Sequence, residues 1–126
     1  MTLLSLIAPL ALAAQSAAPA EEAASVTLEA LELEQAAALR CAVAFALVSA
    51  WQQDGDERGA AFPALEEAEA REFFVRTMAR LMDERALDRA GVLDLVALQN
   101  GRFELRPETV GEIMPACLLM KRSAGL

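Results

Sequence analysis

The stretch that decides the fold is Leu39-Arg-Cys-Ala-Val-Ala-Phe-Ala-Leu-Val-Ser-Ala-Trp51. From Ala36 to Trp51 only Arg40 and Ser49 interrupt an apolar, alanine-rich sequence that contains neither Gly nor Pro. A helix of this composition is apolar on nearly every side, and such helices are buried. We therefore expect a helix over about 32–52 to lie at the centre of the fold.

The apolar part of this helix is too short to be expected to span a membrane. The sixteen residues 36–51 would extend about 24 Å along a helix axis, against about 30 Å for a hydrocarbon core. Arg40 would also lie inside the bilayer. The sequence therefore favours a helix buried in protein.

Length and composition limit the chain to one small domain and exclude several classes of protein. A chain of 126 residues supports one hydrophobic core. With 56% apolar residues, 24% charged residues and a net charge of -8, it is typical of neither a disordered nor a wholly membrane-embedded protein. An acidic chain without a basic patch binds nucleic acid poorly, so no nucleic-acid partner is expected.

The amino terminus resembles an export signal. Residues 3–13 are apolar apart from Ser5, and small-residue cleavage patterns follow at Ala11-Leu-Ala13 and Ala18-Pro-Ala20. The segment before them, Met1-Thr2, lacks the usual Lys or Arg.

These features predict three segments: a signal peptide at 1–20, a mobile lead-in at 21–31, and a single helical domain at 32–126. The protein is then periplasmic or secreted. An uncleaved membrane anchor and an ordinary hydrophobic helix remain alternatives for the first segment, and contact with a membrane is expected only if that segment is not cleaved.

A second helix is predicted from near Phe62-Pro63, with the proline in its first turn, to about Arg85. The polar face of this helix, opposite the apolar one, holds two oriented i, i+4 ion pairs, Glu67 with Arg71 and Glu72 with Arg76. Its apolar positions form one stripe, which indicates an amphipathic helix on a core: Ala70, Phe73, Phe74, Thr77, Met78, Leu81 and Met82.

The third helix has two interpretations at its end. Asp88 is a candidate N-cap, with Leu87 and Val92 as a hydrophobic staple. A helix over 89–99 closed by a left-handed cap at Asn100-Gly101 and followed by an extended connector is favoured. The rival is a β-hairpin over 96–105, because Asn-Gly is also a type I′ turn signal.

The last helix should begin at Arg106-Pro107, again with proline in the first turn. Pro115 cannot donate an amide hydrogen bond, so a kink or a break into two short helices is expected there. One face of this helix is apolar: Val110, Ile113, Met114, Cys117 and Leu118.

Two cysteines in an exported chain raise the question of a disulfide. Cys41 lies in the central helix and Cys117 on the apolar face of the last one, so packing these faces brings the thiols together. A Cys41–Cys117 disulfide is favoured over two free buried thiols and over redox or metal chemistry. The fold class predicted is all-α, with four to five helices in an orthogonal or bundle-like array around a buried central helix and one disulfide.

The residue types argue against common catalytic and metal sites. The chain contains no His and no Tyr, which removes the commonest general base and rules out a Ser-His-Asp triad. Asp54-Gly-Asp56-Glu-Arg58-Gly begins like an EF-hand loop but has Leu65 where a bidentate Glu is needed. We expect a solvated turn, no cofactor and no enzymatic activity.

Two further patterns could suggest a ligand site, but each has a simpler structural interpretation. Met114-x-x-Cys117-x-x-Met120 offers soft ligands for Cu(I), but spacings of three rotate Met120 away from Met114, so core packing is favoured. The acidic group of Glu66, Glu67, Glu69 and Glu72 is interleaved with arginines and indicates a solvated helix face.

In outline the pattern resembles the small periplasmic acid-stress chaperones, which are all-helical with one disulfide. The similarity consists of Cys41 in an early helix, Phe45 four residues on, and a late Ala116-Cys117. The basic tail of those chaperones is not matched, and neither is any diagnostic motif. The resemblance is compatible with a chaperone-like role and assigns no family.

Two functional hypotheses follow from the excess of apolar residues and the lack of catalytic groups. The first is a non-enzymatic periplasmic protein-interaction or chaperone-like module that holds a protein partner in an apolar groove beside the second helix. The second is a helical domain that binds a small apolar ligand or lipid in a cavity lined by Phe73, Phe74, Met78 and Met82. Trp51 is either a cap on the core or a contact residue, and the candidate contact surface comprises Trp51, Phe73, Phe74, Met78 and Met82.

Overall fold

The computed structural model describes residues 26–126, and every regular element in this range is helical. The predicted all-α fold is confirmed, whereas the predicted signal peptide at 1–20 lies outside the described residues. The elements are a 3-10 turn at Leu28–Ala30 and the helices α1 (Leu33–Gln53), α2 (Glu57–Ala60), α3 (Glu67–Arg85), α4 (Arg89–Leu105) and α5 (Glu108–Ser123).

Helix α1 is the centre of the fold, as its composition predicts. It contacts each of the other four helices, and Leu39, Phe45 and Val48 are completely buried. Arg40 lies on an exposed strip of its surface. Among residues 26–126, α1 is the one helix long and apolar enough to cross a membrane, because its 21 residues exceed the sixteen of the apolar run considered in the sequence. Its packing against the four other helices accounts for the apolar side chains that it buries.

Helix α3 packs its predicted stripe against α1. Phe73 meets Phe45 edge-on, with ring centroids 5.2 Å apart and ring planes at 88°. Both predicted ion pairs, Glu67–Arg71 and Glu72–Arg76, are present. The stripe residues Ala70, Phe73, Thr77, Met78 and Leu81 are buried.

The predicted start of this helix at Phe62-Pro63 is wrong, because α3 begins at Glu67. The Gln52 side chain donates a hydrogen bond to the carbonyl of Pro63, and its oxygen accepts one from the amide of Leu65. These bonds hold the segment in an irregular path that a helical turn would not permit.

Helix α4 confirms the predicted N-cap and corrects the predicted end. The Asp88 carboxylate accepts a hydrogen bond of 2.8 Å from the amide of Gly91. The helix continues through Asn100-Gly101 to Leu105, so both the left-handed cap with its connector and the β-hairpin were wrong. Its buried face runs across that dipeptide, from Val92 and Leu95 to Gln99 and Phe103, and burial of this face outweighs a local turn preference of about 1 kcal/mol.

Helix α5 begins at Glu108, with Pro107 at its N-cap, and runs through Pro115 without a break. The predicted division into two short helices is therefore wrong. Val110, Met114 and Cys117 are buried as predicted. The predicted Cys41–Cys117 disulfide is confirmed, with Cα atoms 5.2 Å apart, and it fastens α5 to α1.

Residues 26–31, which the sequence places in the lead-in, are packed on the core. Leu28 and Leu31 are buried, and the 3-10 turn contacts α4. The carboxylate of Glu29 pairs with Arg102 of that helix.

Candidate functional site

The connection from α1 to α3 is fastened by a single side chain, Gln52. Its Nε2 donates hydrogen bonds to the carbonyls of Gly59 (3.2 Å) and Pro63 (2.9 Å), and its Oε1 accepts one of 2.9 Å from the amide of Leu65. One helical side chain thus satisfies three backbone groups of an irregular segment. The segment 59–65 therefore has a defined position on α1.

Gly59 permits the close approach of this segment. A Cβ atom at this position would lie 2.8 Å from the backbone nitrogen of Gln52 and 3.0 Å from the carbonyl carbon of Trp51. No side chain fits at that separation, because backbone atoms of a packed helix cannot move aside.

Trp51 lies in a half-buried cluster on top of this connection. Its ring stacks on Phe62, with centroids 6.4 Å apart, and the guanidinium carbon of Arg58 lies 4.5 Å from the Trp51 ring centroid. Asp56 caps α2 and forms a bidentate ion pair with Arg58. Hydrogen bonds from the Arg58 side chain and then from its backbone amide lower the pKa of Asp56 to about 2. Trp51 therefore serves as a platform that orders Phe62 and Arg58.

Phe62 also borders the most apolar concavity that we find in the described part of the chain, here named the α5 groove. The groove lies between residues 61–63 and the exposed side of α5 and has a volume of about 620 Å³. Met114 forms its floor and is 3% exposed, whereas Leu119 on its rim is 59% exposed. The lining residues are Ala61, Phe62, Pro63, Gly111, Met114, Pro115, Leu118, Leu119 and Arg122.

Both walls of the α5 groove are tied to α1. The loop wall is held by the hydrogen bond from Gln52 to Pro63, and the helix wall is held by the disulfide at Cys117, one residue before Leu118. Because both walls are held in place, the groove is preformed, which lowers the entropic cost of binding. Within the helix wall, Pro115 has no amide hydrogen, so the carbonyl of Gly111 lacks its usual donor.

A second concavity, here named the α1–α3 groove, corresponds to the groove predicted beside the second helix. Its volume is about 320 Å³, and Phe74 is the only large apolar residue that lines it. Small residues of both helices form its floor, and Asp54, Glu67 and Arg71 give it a charged rim. It offers less apolar area for a partner than the α5 groove does.

The residues of the predicted contact surface are dispersed. Phe73 and Met78 belong to the core, at 5% and 7% exposed, whereas Trp51, Phe74 and Met82 are half-buried. Phe73 and Phe74 border different concavities. A shared surface or cavity formed by all of them remains a prediction.

The exposed side of α5 is not among the contact surfaces predicted from the sequence. The available signal was a second apolar stripe on that helix, next to the buried one. Gly111, Pro115, Leu118 and Leu119 recur at the i, i+4, i+7, i+8 spacing of one helix face, ending at Arg122.

Three of the four carboxylates singled out in the sequence take part in ion pairs. Glu67 and Glu72 pair with Arg71 and Arg76, and Glu69 reaches Lys121 of α5 at 2.6 Å. No group of three or more acidic or cysteine side chains is arranged to hold a metal ion within residues 26–126. Cys117 is bonded to Cys41 and offers no thiolate to copper in this state.

Comparison with known proteins assigns no relative. No family model matches the chain, and comparisons with curated proteins and with solved structures gave no match. The resemblance to the acid-stress chaperones thus consists of the pattern around Cys41, Phe45 and Ala116-Cys117 alone.

Proposed function

We propose that this chain is a non-enzymatic exported protein that binds an apolar segment of another protein in the α5 groove. The observation that carries the proposal is the groove itself: about 620 Å³, lined by a single charged residue, in a chain with a net charge of -8. An apolar concavity with few polar groups in its lining is the default candidate for a binding site. The apolar amino-terminal sequence and the disulfide are compatible with export.

Exposed leucines elsewhere provide a matched control. Leu119 is 59% exposed and lines the groove, whereas Leu98 is 50% exposed on α4 and does not. Replacing either with Glu leaves the core intact, because neither side chain is buried. A difference in binding between Leu119→Glu and Leu98→Glu therefore reports on the groove.

The test is quantitative capture of proteins from an envelope extract by the wild type and by these two variants. We expect one or more proteins to be recovered by the wild type and Leu98→Glu and lost with Leu119→Glu. The proposal is wrong if all three baits recover the same proteins. An apolar fluorescent dye should likewise bind the wild type and Leu98→Glu better than Leu119→Glu.

The alternative is binding of a small apolar ligand or lipid, since the volume of the groove also lies in the range of small-molecule sites. Native mass spectrometry of the protein purified from its own envelope distinguishes the two. A carried ligand that is absent from Leu119→Glu would favour the alternative.

A further inference from the structure

We propose that the segment bound in the α5 groove is an amphipathic α-helix, antiparallel to α5, with an acidic residue in its first turn. The inference rests on the proposed function, because it specifies the chemistry of the partner at the same groove. Three properties of the groove lead to it: its lack of hydrogen-bonding side chains, its length, and the position of its one charge.

The lining selects an occupant that satisfies its own backbone. Eight of the nine lining residues have no nitrogen or oxygen in their side chains. An extended peptide there would find few partners for the amide and carbonyl groups that face the lining, and each group left desolvated and unpaired is costly. The described residues also form no strand whose edge an extended peptide could join. A helix avoids both costs, since its backbone is paired internally.

The length of the groove suits about three helical turns. On α5 the lining extends from Gly111 to Arg122, which is about 16 Å at the rise of an α-helix. A partner helix with apolar residues at i, i+3, i+4 and i+7 presents a stripe of about 11 Å, which fits within this length and leaves room for a further residue at its first turn. Leu119 on the rim and Phe62 on the opposite wall can then pack on either side of that stripe.

The charge at one end sets the direction of the partner. Arg122 is the only charged residue of the lining and lies in the last turn of α5. A partner that runs antiparallel to α5 places its first turn beside this guanidinium. An acidic residue there pairs with Arg122 and also complements the dipole of its own helix.

The test uses two designed peptides as probes. Each has about 15 residues, capped termini, a lactam staple on its polar face to secure helicity, and leucines at i, i+3, i+4 and i+7. The peptides differ only in the first turn, which carries two Glu in one and two Lys in the other. Fluorescence anisotropy at about 150 mM salt, where the long-range field of the net charge of -8 is screened more strongly than a contact ion pair, gives the dissociation constants.

Two pairs of variants accompany the wild type. Arg122→Glu reverses the charge in the groove, and Arg89→Glu reverses that of an exposed arginine that does not line it. Leu119→Glu and Leu98→Glu form the second pair. Circular dichroism confirms that each variant is folded.

We expect the wild type to prefer the acidic peptide about fivefold, the range of an exposed ion pair. Arg122→Glu should prefer the Lys peptide, and Arg89→Glu should behave as the wild type. Leu119→Glu should weaken both peptides at least tenfold, because it places a charge against the apolar stripe of the partner, and Leu98→Glu should not.

Each contrary result has a defined meaning. Equal binding of both peptides to the wild type and to Arg122→Glu, with loss in Leu119→Glu, overturns the acidic helix and leaves the proposed function standing. Binding that Leu119→Glu does not alter removes the groove as a site, and both proposals with it. The absence of binding of either peptide at about 100 µM, where even weak groove ligands are detected, also overturns the inference.

Two other occupants would also overturn it. A second copy of the chain is the occupant if sedimentation equilibrium shows a dimer of the wild type that Leu119→Glu dissociates and Leu98→Glu retains. An acyl chain is the occupant if native mass spectrometry shows a fatty acid on the wild type that Leu119→Glu lacks.

Discussion

Reduction of the Cys41–Cys117 disulfide should lower the free energy of unfolding by about 4 kcal/mol. The bond closes a loop with a sequence separation of 76 residues. In the chain-entropy relation this loop restricts the unfolded state by about 15 cal/mol/K, or about 4.5 kcal/mol at 25 °C. A domain of this size has a total stability of about 5–15 kcal/mol, so the loss is a large fraction of the whole.

The packing around the bond indicates that reduction isolates the effect of the cross-link. Cys41 and Cys117 are 5% and 0% exposed, and the reduced thiols keep nearly the same volume in the core. The double variant Cys41→Ala/Cys117→Ala removes the two sulfur atoms as well. We therefore expect it to be less stable than the reduced wild type by about 1–2 kcal/mol, the cost of a small cavity.

The assay is urea denaturation followed by circular dichroism, with Trp51 fluorescence as a second probe. With an m-value of about 2 kcal/mol/M, the midpoint should fall by about 2 M on reduction. The m-value should rise, because the reduced unfolded chain exposes more surface. A loss of stability below about 1 kcal/mol with an unchanged m-value would refute the reasoning from chain entropy.

Four other perturbations test the connection, the helix ends and the surface charges. Gln52→Ala should lower the free energy of unfolding in urea by about 2 kcal/mol, because three backbone groups lose their partner. The control Gln53→Ala should cost less than about 1 kcal/mol, because the Gln53 side chain bonds to Ser49 of its own helix. Gly59→Ala should destabilise the protein by about 2 kcal/mol, because its Cβ would meet backbone atoms of α1. Gly101→Ala should stabilise it by about 1 kcal/mol, because that position is helical and open. A destabilising effect of Gly101→Ala would contradict the continuation of α4 through this residue. Ala86→Gly should raise the thermal midpoint, with a gain of about 0.5–1 kcal/mol, since Ala86 has the left-handed φ of 51° that favours glycine, and a drop would argue against this conformation. The pKa of Asp56 is lowered from 3.8 to about 2 in the folded state, so its contribution to stability is present above about pH 4 and is lost as the pH falls toward 2. Asp56→Asn keeps a capping side chain and should reduce this loss of stability in acid, measured as urea midpoints from pH 7 to pH 2. A pH profile identical to that of the wild type would contradict this prediction.

The lowered pKa values of Glu29 and Glu108 act in the same direction as that of Asp56. In each, a hydrogen bond from the residue's own backbone amide is the main cause, followed by an arginine, Arg102 for Glu29 and Arg106 for Glu108. A carboxyl group whose folded pKa is depressed stabilises the protein above its unfolded pKa and loses that effect in acid. Both ion pairs are exposed to solvent, so each contributes little to the pH profile by itself.

Periodicity and composition were sufficient to predict the central helix, the buried stripe of α3 and the disulfide. The central helix follows from the apolar run from Cys41 to Trp51, which only Ser49 interrupts, because a helix without a polar face must be buried. The stripe of α3 follows from the spacing of Phe73, Thr77 and Leu81 along one face. The disulfide follows from two cysteines on faces that both had to enter the same small core.

Where local signals compete, contacts with other helices set the residues at which the elements begin and end. Asn100-Gly101 favours a turn by about 1 kcal/mol, and this preference yields to the burial of Gln99 and Phe103 on either side of it. Pro63 suits the first turn of a helix, but hydrogen bonds from Gln52, eleven residues earlier, hold it in an irregular segment. Propensity is a property of neighbouring residues, whereas these outcomes depend on contacts with other helices.

The α5 groove shows the same division. The apolar spacing of Pro115, Leu118 and Leu119 is visible in the chain, but a groove needs a second wall, and residues 61–63 supply it from a distant part of the sequence. That wall has its position because Gln52 binds its backbone and Gly59 lets it approach α1. The sequence thus determined which residues are apolar, and the packing of separate segments on α1 decided which of them remain available to a partner.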